Sequence, residues 1–286
     1  MTELAPYYEE VQAHYDLSDD FFALFLDPTR TYSCAYFERD DMTLEQAQRA
    51  KVDLALGKCG LRPGMRLLDV GCGWGSTMVR AVQHYGVDVI GLTLSQNQFD
   101  YVQSLIPDLP GPRTAEVRLE GWEEFTGKVD RIVSIGAFEH FHRERYDAFF
   151  RMCRDALPRD GRMLLHTIVG YNRHQLRDMG LRVDREYLLF CKFLGDVIFP
   201  GGQLPEPGWV TAAAESAGFT VELVQPLQSH YAKTLDCWAT ALAARRDEAI
   251  AITSDEVYLQ YVKYLSGCAD LFRRGYIDVM QFTLAA

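Results

Sequence analysis

The sequence predicts an α/β fold, a mixed, mostly parallel seven-stranded sheet with helices on both faces. Short apolar segments alternate with longer amphipathic ones along the chain, the pattern of strands joined by crossover helices. The strand segments are nearly continuous in apolar residues, as strands covered on both faces must be. A glycine-rich turn after the first strand marks the sheet edge at which ligands of open parallel sheets bind.

Residues 1–42 are aromatic and acidic, with apolar positions Phe21, Phe22, Leu24, Phe25 and Leu26. They read as one or two short helices covering the main domain. Thr43 followed by Gln46 resembles a capping box and opens a helix to about Lys58. MRLLDVG (65–71) is the first strand, and a helix follows Gly75. VDVIGLTL (87–94) is the second, with Ser95 capping the next helix. AEVRLEG (115–121) is the third, and VDRIVSIG (129–136) the fourth, followed by a helix over 143–156. GRMLLHTIV (161–169) is the fifth. The alternation breaks over 170–208, which ends in FPGGQLPEP. An insertion of that length is a candidate lid or substrate wall. A helix over 209–217, the strand FTVELVQPL, a long helix from about Lys233, another over Tyr258–Phe272 and the strand DVMQFTLA complete the pattern. The break is read as an insertion, so residues 1–286 are expected to form one domain.

Apolar residues make up 48% of the 286, enough for a substantial core, and the formal net charge is −11. That sign disfavours a broad nucleic-acid surface and a polybasic membrane anchor, but not a lipid-like substrate. Aromatic residues, 12% of the chain, often fall outside the strands, so a ring-lined pocket is expected. Seven cysteines are widely spaced with no C-x-x-C. A disulfide framework or structural zinc is therefore not expected, and reduced thiols in a cytoplasmic protein fit better; peripheral membrane association stays open. The start, MTELAPYYEEVQAHYD, has no apolar core of a signal peptide. No apolar run approaches the roughly 18–20 residues that span a bilayer.

The strongest local signal is LLDVGCGWGS, residues 67–76. A strand delivers Asp69, and Gly71, Gly73 and Gly75 let the backbone turn and approach a ligand before a helix begins. The third glycine comes one residue too early for the dinucleotide pattern, and no lysine follows to make a phosphate-binding loop. The spacing D-x-G-x-G-x-G resembles motif I of class I S-adenosylmethionine-dependent methyltransferases, a Rossmann-like fold. That resemblance implies a cofactor site at Asp69, Gly71, Cys72, Gly73 and Gly75. The acidic residue usual at the end of the second strand is missing from GLTLSQNQ. Thr93, Leu94, Ser95 and Gln98 would serve instead, Gln98 because an amide both donates to and accepts from a hydroxyl pair. In EGWEEF, Trp122 could stack on adenine and Glu123 could accept from its amino group; Trp122 could equally be a packing ring.

HYDLSDDFF, TYSCAYF, LLDVGCGWG, GLTLSQNQ, GAFEHF, HYAKTLDCW and YLSGCADLFRRGY together resemble the cyclopropane fatty acid synthases, above all the mycobacterial mycolic acid cyclopropane synthases and related mycolic acid methyltransferases. The likeness runs from about Val11 to Leu284. It implies methylene transfer from S-adenosylmethionine to a cis alkene of a long-chain acyl substrate, on an acyl carrier protein or at a membrane surface. A bound bicarbonate ion would take the proton that lets the ring close. The resemblance places Cys34, Glu139, His166, Ile168 and Tyr231 around that ion, and Tyr32, Ser33 and Ile135 at the cofactor. Tyr15, Tyr32, Phe199, Tyr264 and Phe272 would line the acyl and cation pocket. Cys268 is regarded as catalytic in the family, although the alkene itself is the nucleophile and no covalent thiolate is required.

Each residue also has a plainer reading. Cys34 could be a small buried hydrophobe, His166 a satisfied core histidine, Glu139 an arginine partner, and Tyr264 and Phe272 part of a helix core stripe. His140 is expected to turn away from Glu139, because adjacent side chains leaving a strand diverge. Other outcomes on the same fold are a methyl-branched alcohol or alkene, a different methyl acceptor, or a non-catalytic S-adenosylmethionine-binding scaffold.

Overall fold

A computed structural model describes residues 4–6, 18–109 and 111–286. Helix α1 (Asp19–Ala23) is capped by Ser18 and buries Phe21 and Phe22. In α2 (Leu44–Cys59) the capping box forms: Gln46 N donates to Thr43 Oγ1 at 3.2 Å and Thr43 N to Gln46 Oε1 at 3.0 Å. Strand β1 (Arg66–Val70) leads through the glycine turn into α3 (Ser76–Arg80), which ends in a π-helical turn at Ala81–Tyr85. β2 (Asp88–Thr93), α4 (Gln96–Leu105) with its Ser95 cap, β3 (Ala115–Leu119) and β4 (Arg131–Ile135) follow.

Next come α5 (Tyr146–Ala156) and β5 (Arg162–Gly170). The inserted segment holds α6 (Arg173–Asp178), α7 (Arg185–Phe193) and a π-helical turn at Leu194–Ile198. α8 (Pro207–Ser216), β6 (Thr220–Pro226), α9 (Gln228–Ala244), α10 (Arg246–Ile252), α11 (Asp255–Arg274) and β7 (Ile277–Ala285) complete the chain.

The seven strands lie in the order β3-β2-β1-β4-β5-β7-β6. β1 to β5 pair in parallel, while β7 runs antiparallel to both β5 and β6. Alternate strand residues serve opposite layers. Leu67, Val133 and Leu164 pack with Val52, Ala55 and Leu56 of α2 and with Met78 of α3. Leu68, Ile132 and Met163 pack on the other side with Phe149, Phe150 and Cys153 of α5 and with Val210 and Ala214 of α8. Side chains as fully covered as Phe149 and Phe150, both 0% exposed, stabilise the fold by roughly 1.5–3 kcal/mol each. A third cluster joins α1, α9, α11 and the inserted segment through Phe22, Tyr231, Trp238, Leu265, Leu176 and Ile198.

Several expectations shift. The helix expected from about Lys233 begins at Gln228, so HYAKTL is helical throughout. The 246–252 helix was not foreseen. Residues 143–145 form a 3₁₀ turn before α5. β6 is an edge strand whose Leu223 is 48% exposed, not a buried one. Among the described residues no helix is long and apolar enough to cross a membrane, and no His, Cys, Asp and Glu cluster could hold a metal ion.

Candidate active site

The carboxyl ends of β1 to β4 open into a cleft. Gly71 makes its floor possible. It has φ +76°, and a Cβ there would lie 2.4 Å from the Cβ of Ala137, so only glycine permits both the turn and the close approach of the β4 loop. The cleft, ≈ 1000 Å³ counted to its open mouth, is lined by Tyr32, Ser33, Asp69, Gly71, Cys72, Gly73, Thr93, Leu94, Gln98, Trp122, Glu123 and Ile135. Every residue assigned to the cofactor from the sequence is there except Gly75 and Ser95, which shape the turns. Gly75 is the left-handed residue preceding α3 at φ +82°, and Ser95 caps α4.

The polar groups of the cleft are partly committed. Thr93 Oγ1 donates to Gln98 Oε1 at 2.8 Å, which turns the Gln98 amide nitrogen into its free donor. Arg145 donates to Glu123 Oε1 at 2.8 Å in a pair whose side chains are 11% and 3% exposed. Trp122 is packed edge-on against Phe149 and tilted on Phe141, with centroids 5.4 and 5.6 Å away, so its packing role and its place on the cleft wall coexist.

The wall of the cleft also holds a buried lysine that the sequence did not single out. Lys51 of α2, 1% exposed, donates to Ser33 Oγ at 2.8 Å. Gln48, one turn earlier, donates to Ser33 O at 2.8 Å and Thr31 O at 3.2 Å. Burial pulls the Lys51 ammonium down to about 8, against the attraction of Cys34, Asp27 and Asp69. Burial likewise pushes Asp69 up to about 7, with Lys51 opposing. Asp69 Oδ2 is buried and unpartnered on the cleft wall.

A second, larger cavity of ≈ 1610 Å³ continues from the first. The two share Tyr32, Ser33, Gly136 and His140 on their walls. Cys34, Glu139, His166, Ile168, Tyr231, Cys268, Phe199, Tyr264 and Phe272 all line this second space, with Tyr187, Leu194 and Trp209. Residues from six separated segments thus line one cavity. Tyr15 lies outside the described residues.

Glu139 sits in a 3₁₀ turn after β4. Its Oε1 accepts from Ile168 N at 2.6 Å, whereas Oε2 is buried with no partner. Burial raises this carboxyl to about 7, with the Ile168 N–H opposing. Ile168, expected in the ion's shell, therefore spends its N–H on orienting Glu139. His166 is 1% exposed and has an unpartnered Nε2. Burial, with Lys51 and Lys58 nearby, lowers it well below the usual histidine value, so the ring is neutral. The expectation that His140 turns away fails. Residues 138–140 form a 3₁₀ turn, in which neighbours diverge by about a third of a circle instead of half, and His140 faces both cavities. Burial lowers its imidazole to about 4.

The cavity's thiols and phenols are held protonated. Burial raises Cys34, Cys268, Tyr231 and Tyr264 well above their usual values. Cys34 Sγ donates to Ala35 O at 3.1 Å, and Tyr32 Oη donates to Tyr264 Oη at 3.1 Å. Phe199 stands edge-on to Tyr264 at 5.3 Å, and Tyr231 is tilted over Phe272 at 4.7 Å.

Known proteins match the chain along nearly its whole length. The family model described as mycolic acid cyclopropane synthetase matches residues 2–282. The chain belongs to that family. Cyclopropane mycolic acid synthase 1 of Mycobacterium tuberculosis is 61% identical over 281 residues, 98% of each chain. The cyclopropane synthase MmaA2 of Mycobacterium tuberculosis superposes with a TM-score of 0.98 at 59% identity over 100% of both chains. Mycolic acid cyclopropane synthase CmaA1 complexed with SAH and CTAB superposes with a TM-score of 0.97 at 60% identity, covering 99% of this chain and 100% of that one. The fold of this cyclopropane synthetase family member is that of the class I S-adenosylmethionine-dependent methyltransferases, and coclaurine N-methyltransferase shares it at 21% identity and a TM-score of 0.80. The family consists of C-methyltransferase enzymes of the cyclopropane synthase type.

Proposed function

We propose that this chain adds a methylene group from S-adenosylmethionine across a cis double bond of a long-chain, mycolic-type acyl substrate, closing a cyclopropane ring. The carrying observation is the junction of two cavities. One is a glycine-floored cleft with an unpartnered buried carboxylate oxygen. The other is largely apolar, with an unpartnered acceptor and an unpartnered ring nitrogen on its wall.

The cleft suits the cofactor. Gly71 and Gly73 let a ligand approach the backbone, Asp69 Oδ2 offers an acceptor to an ammonium, and the Gln98 amide offers a donor to ribose. When bound, the sulfonium supplies an electrophilic methyl group. Tyr32, Ser33, Gly136 and His140, common to both cavities, form the wall past which that methyl must reach the alkene. His140, neutral at physiological pH, adds a polar face without placing a second cation beside the sulfonium.

The larger cavity suits an acyl chain. Tyr32, Phe199, Tyr264 and Phe272 present ring faces and edges that stabilise a developing carbocation without trapping it. Apolar walls exclude the water that would otherwise capture it. The inserted segment 170–208, supplying Tyr187, Leu194 and Phe199, acts as the wall or lid of this pocket, and Tyr32, Ser33 and Cys34, ahead of α2, complete it within a single domain. The relative complexed with SAH and CTAB, a long-chain surfactant, supports a chain-shaped ligand.

Bicarbonate fits the orphaned polar atoms. Glu139 Oε2 would accept its O–H, and His166 and the Tyr231 hydroxyl would donate to its oxygens, with Cys34 and Ile168 completing the enclosure. Bound there, bicarbonate supplies the oxygen that accepts the proton lost from the new methyl group. Glu139, with a pKa of about 7, can hold its proton beside a second negative charge or release it, so like-charge repulsion does not forbid the pair.

The test is incubation with methyl-labelled S-adenosylmethionine and cis-unsaturated acyl groups, either on an acyl carrier protein or in phospholipid vesicles, in buffer first stripped of carbon dioxide and then supplemented with bicarbonate. A lipid that gains CH₂ and loses its alkene, with turnover restored by bicarbonate, is expected. A retained alkene or a gain of methanol would assign a methyl-branching outcome, and absence of label from every acyl substrate would refute the proposal.

A further inference from the structure

We infer that Gln281, itself oriented by Lys58, is a positioning residue that fixes His166 in the tautomer carrying hydrogen on Nε2. The ring then presents a donor, not an acceptor, to the larger cavity.

The argument follows from which atoms can donate. Lys58, near the end of α2, reaches Gln281 Oε1 at 2.7 Å and Gln225 Oε1 at 2.5 Å. An ammonium only donates, so both amides must turn their oxygens toward it. The Gln281 nitrogen is thereby aimed the other way, and it lies 3.2 Å from His166 Nδ1. An amide nitrogen also only donates. Nδ1 must therefore accept, and a neutral ring that accepts at Nδ1 carries its hydrogen on Nε2. The assignment does not depend on how the amide is drawn, because the lysine allows only one orientation.

The fold makes this chain of contacts rigid. Gln225, Gln281 and His166 are register partners across β6, β7 and β5, so their side chains share one face of the sheet, and Lys58 descends on that face from α2. Gln281 is 0% exposed and His166 1%, leaving no water to substitute for the amide. The two lysines that bear on His166, Lys51 and Lys58, both disfavour a second ring proton. The ring thus stays neutral, and its Nε2–H is left buried and unpartnered on the cavity wall. An oxyanion satisfies that donor, and a general base at His166 would need the opposite tautomer. This deepens the reading of the cavity as an anion site and rests on it for the direction of the activity change alone.

The experiment is ¹⁵N spectroscopy of the ligand-free protein with labelled histidine, His166 being identified by its absence in His166→Gln. The wild type is expected to show hydrogen on Nε2 and a bare Nδ1. Gln281→Glu offers Nδ1 an acceptor, so the hydrogen is expected to move to Nδ1 and methyl transfer to fall about 10–100-fold, as loss of an orienting partner commonly causes. Lys58→Met releases the amide and is expected to give a mixture of tautomers with a smaller loss, and Lys58→Arg, which keeps a donor, to restore the wild-type spectrum. If Gln281→Glu does not fold, the two variants of the half-buried Lys58 carry the test. Hydrogen on Nδ1 in the wild type, or Lys58→Met with an unchanged ring spectrum, overturns the inference whatever the lipid product. Hydrogen on Nε2 in a protein that forms no cyclopropane supports this inference and refutes only the proposed reaction.

Discussion

Replacing Glu139 by glutamine is expected to make the ligand-free protein more stable and less active, with the stability gain confined to neutral and alkaline pH. Burial moves the carboxyl from 4.5 to about 7 in the folded state. Between these values the native protein holds a proton that the unfolded chain has released. Its stability therefore falls as pH rises through that window and stays lower above it. At about 1.4 kcal/mol per pKa unit, the displacement corresponds to up to about 3 kcal/mol at pH 8, and to less than about 1 kcal/mol at pH 5. Glutamine keeps an oxygen for the Ile168 N–H, now at 2.6 Å, and cannot ionise, so it removes this penalty. Urea unfolding of both proteins at the two pH values measures the difference, which for a chain of this length corresponds to about 5 °C in Tm at pH 8. Methyl transfer should fall about 10²–10⁴-fold, the usual share of a group governing proton transfer. A stability difference equal at both pH values, or a variant less stable at each, would refute the reasoning.

Three further outcomes are expected. Gly71→Ala, which sets a methyl 2.4 Å from Ala137 Cβ at φ +76°, should weaken S-adenosylhomocysteine binding at least about 10-fold by calorimetry and cost roughly 1–3 kcal/mol of stability; unchanged affinity would show that the turn does not shape the cleft. Lys51→Met removes the donor to Ser33 Oγ while sparing the fold a buried ammonium, so stability at pH 7 should be kept within about 1 kcal/mol as cofactor affinity drops about 10-fold. Tight binding with lost stability would mean that Lys51 is purely structural. Alkylation at pH 7.5 should label Cys191 and Cys237, the partly exposed cysteines, long before the five buried ones, because burial keeps thiols such as Cys268 protonated; mass mapping that finds Cys268 labelled as fast as Cys237 would argue for an activated thiolate.

Much of this molecule is readable in its residues. The seven strands and the glycine turn follow from apolar runs and backbone freedom. Ordering the strands brings Glu139, just after β4, beside His166 of β5, whereas Phe199, Tyr264 and Phe272 come from the inserted segment and α11 and were placed by the family resemblance alone. What escaped had local and non-local causes. A three-residue 3₁₀ turn brings His140 back to the site, and no periodicity marks so short an element. Lys51 carried a legible signal: it stands in the apolar stripe of α2 with Ala47, Val52, Ala55 and Leu56, where a charge needs a partner. Gln281 carried none, because its role exists only through pairing with strands distant in sequence.

The placement of β7 between β5 and β6 has a bearing on how the chain is made. Among the described residues β6 pairs with no strand but β7, and β7 follows only after α9, α10 and α11. As the polypeptide leaves the ribosome, residues 220–226 must wait without a hydrogen-bonding neighbour while three helices are synthesised, with Leu223 and Val224 exposed even in the finished fold. Such late, distant strand pairing is slow and leaves an adhesive edge open. The arrival of Ile277–Ala285 gives β6 its pairing partner and delivers the amide to His166, so the step that completes the sheet also completes the wall of the larger cavity, while β6 keeps its outer edge open.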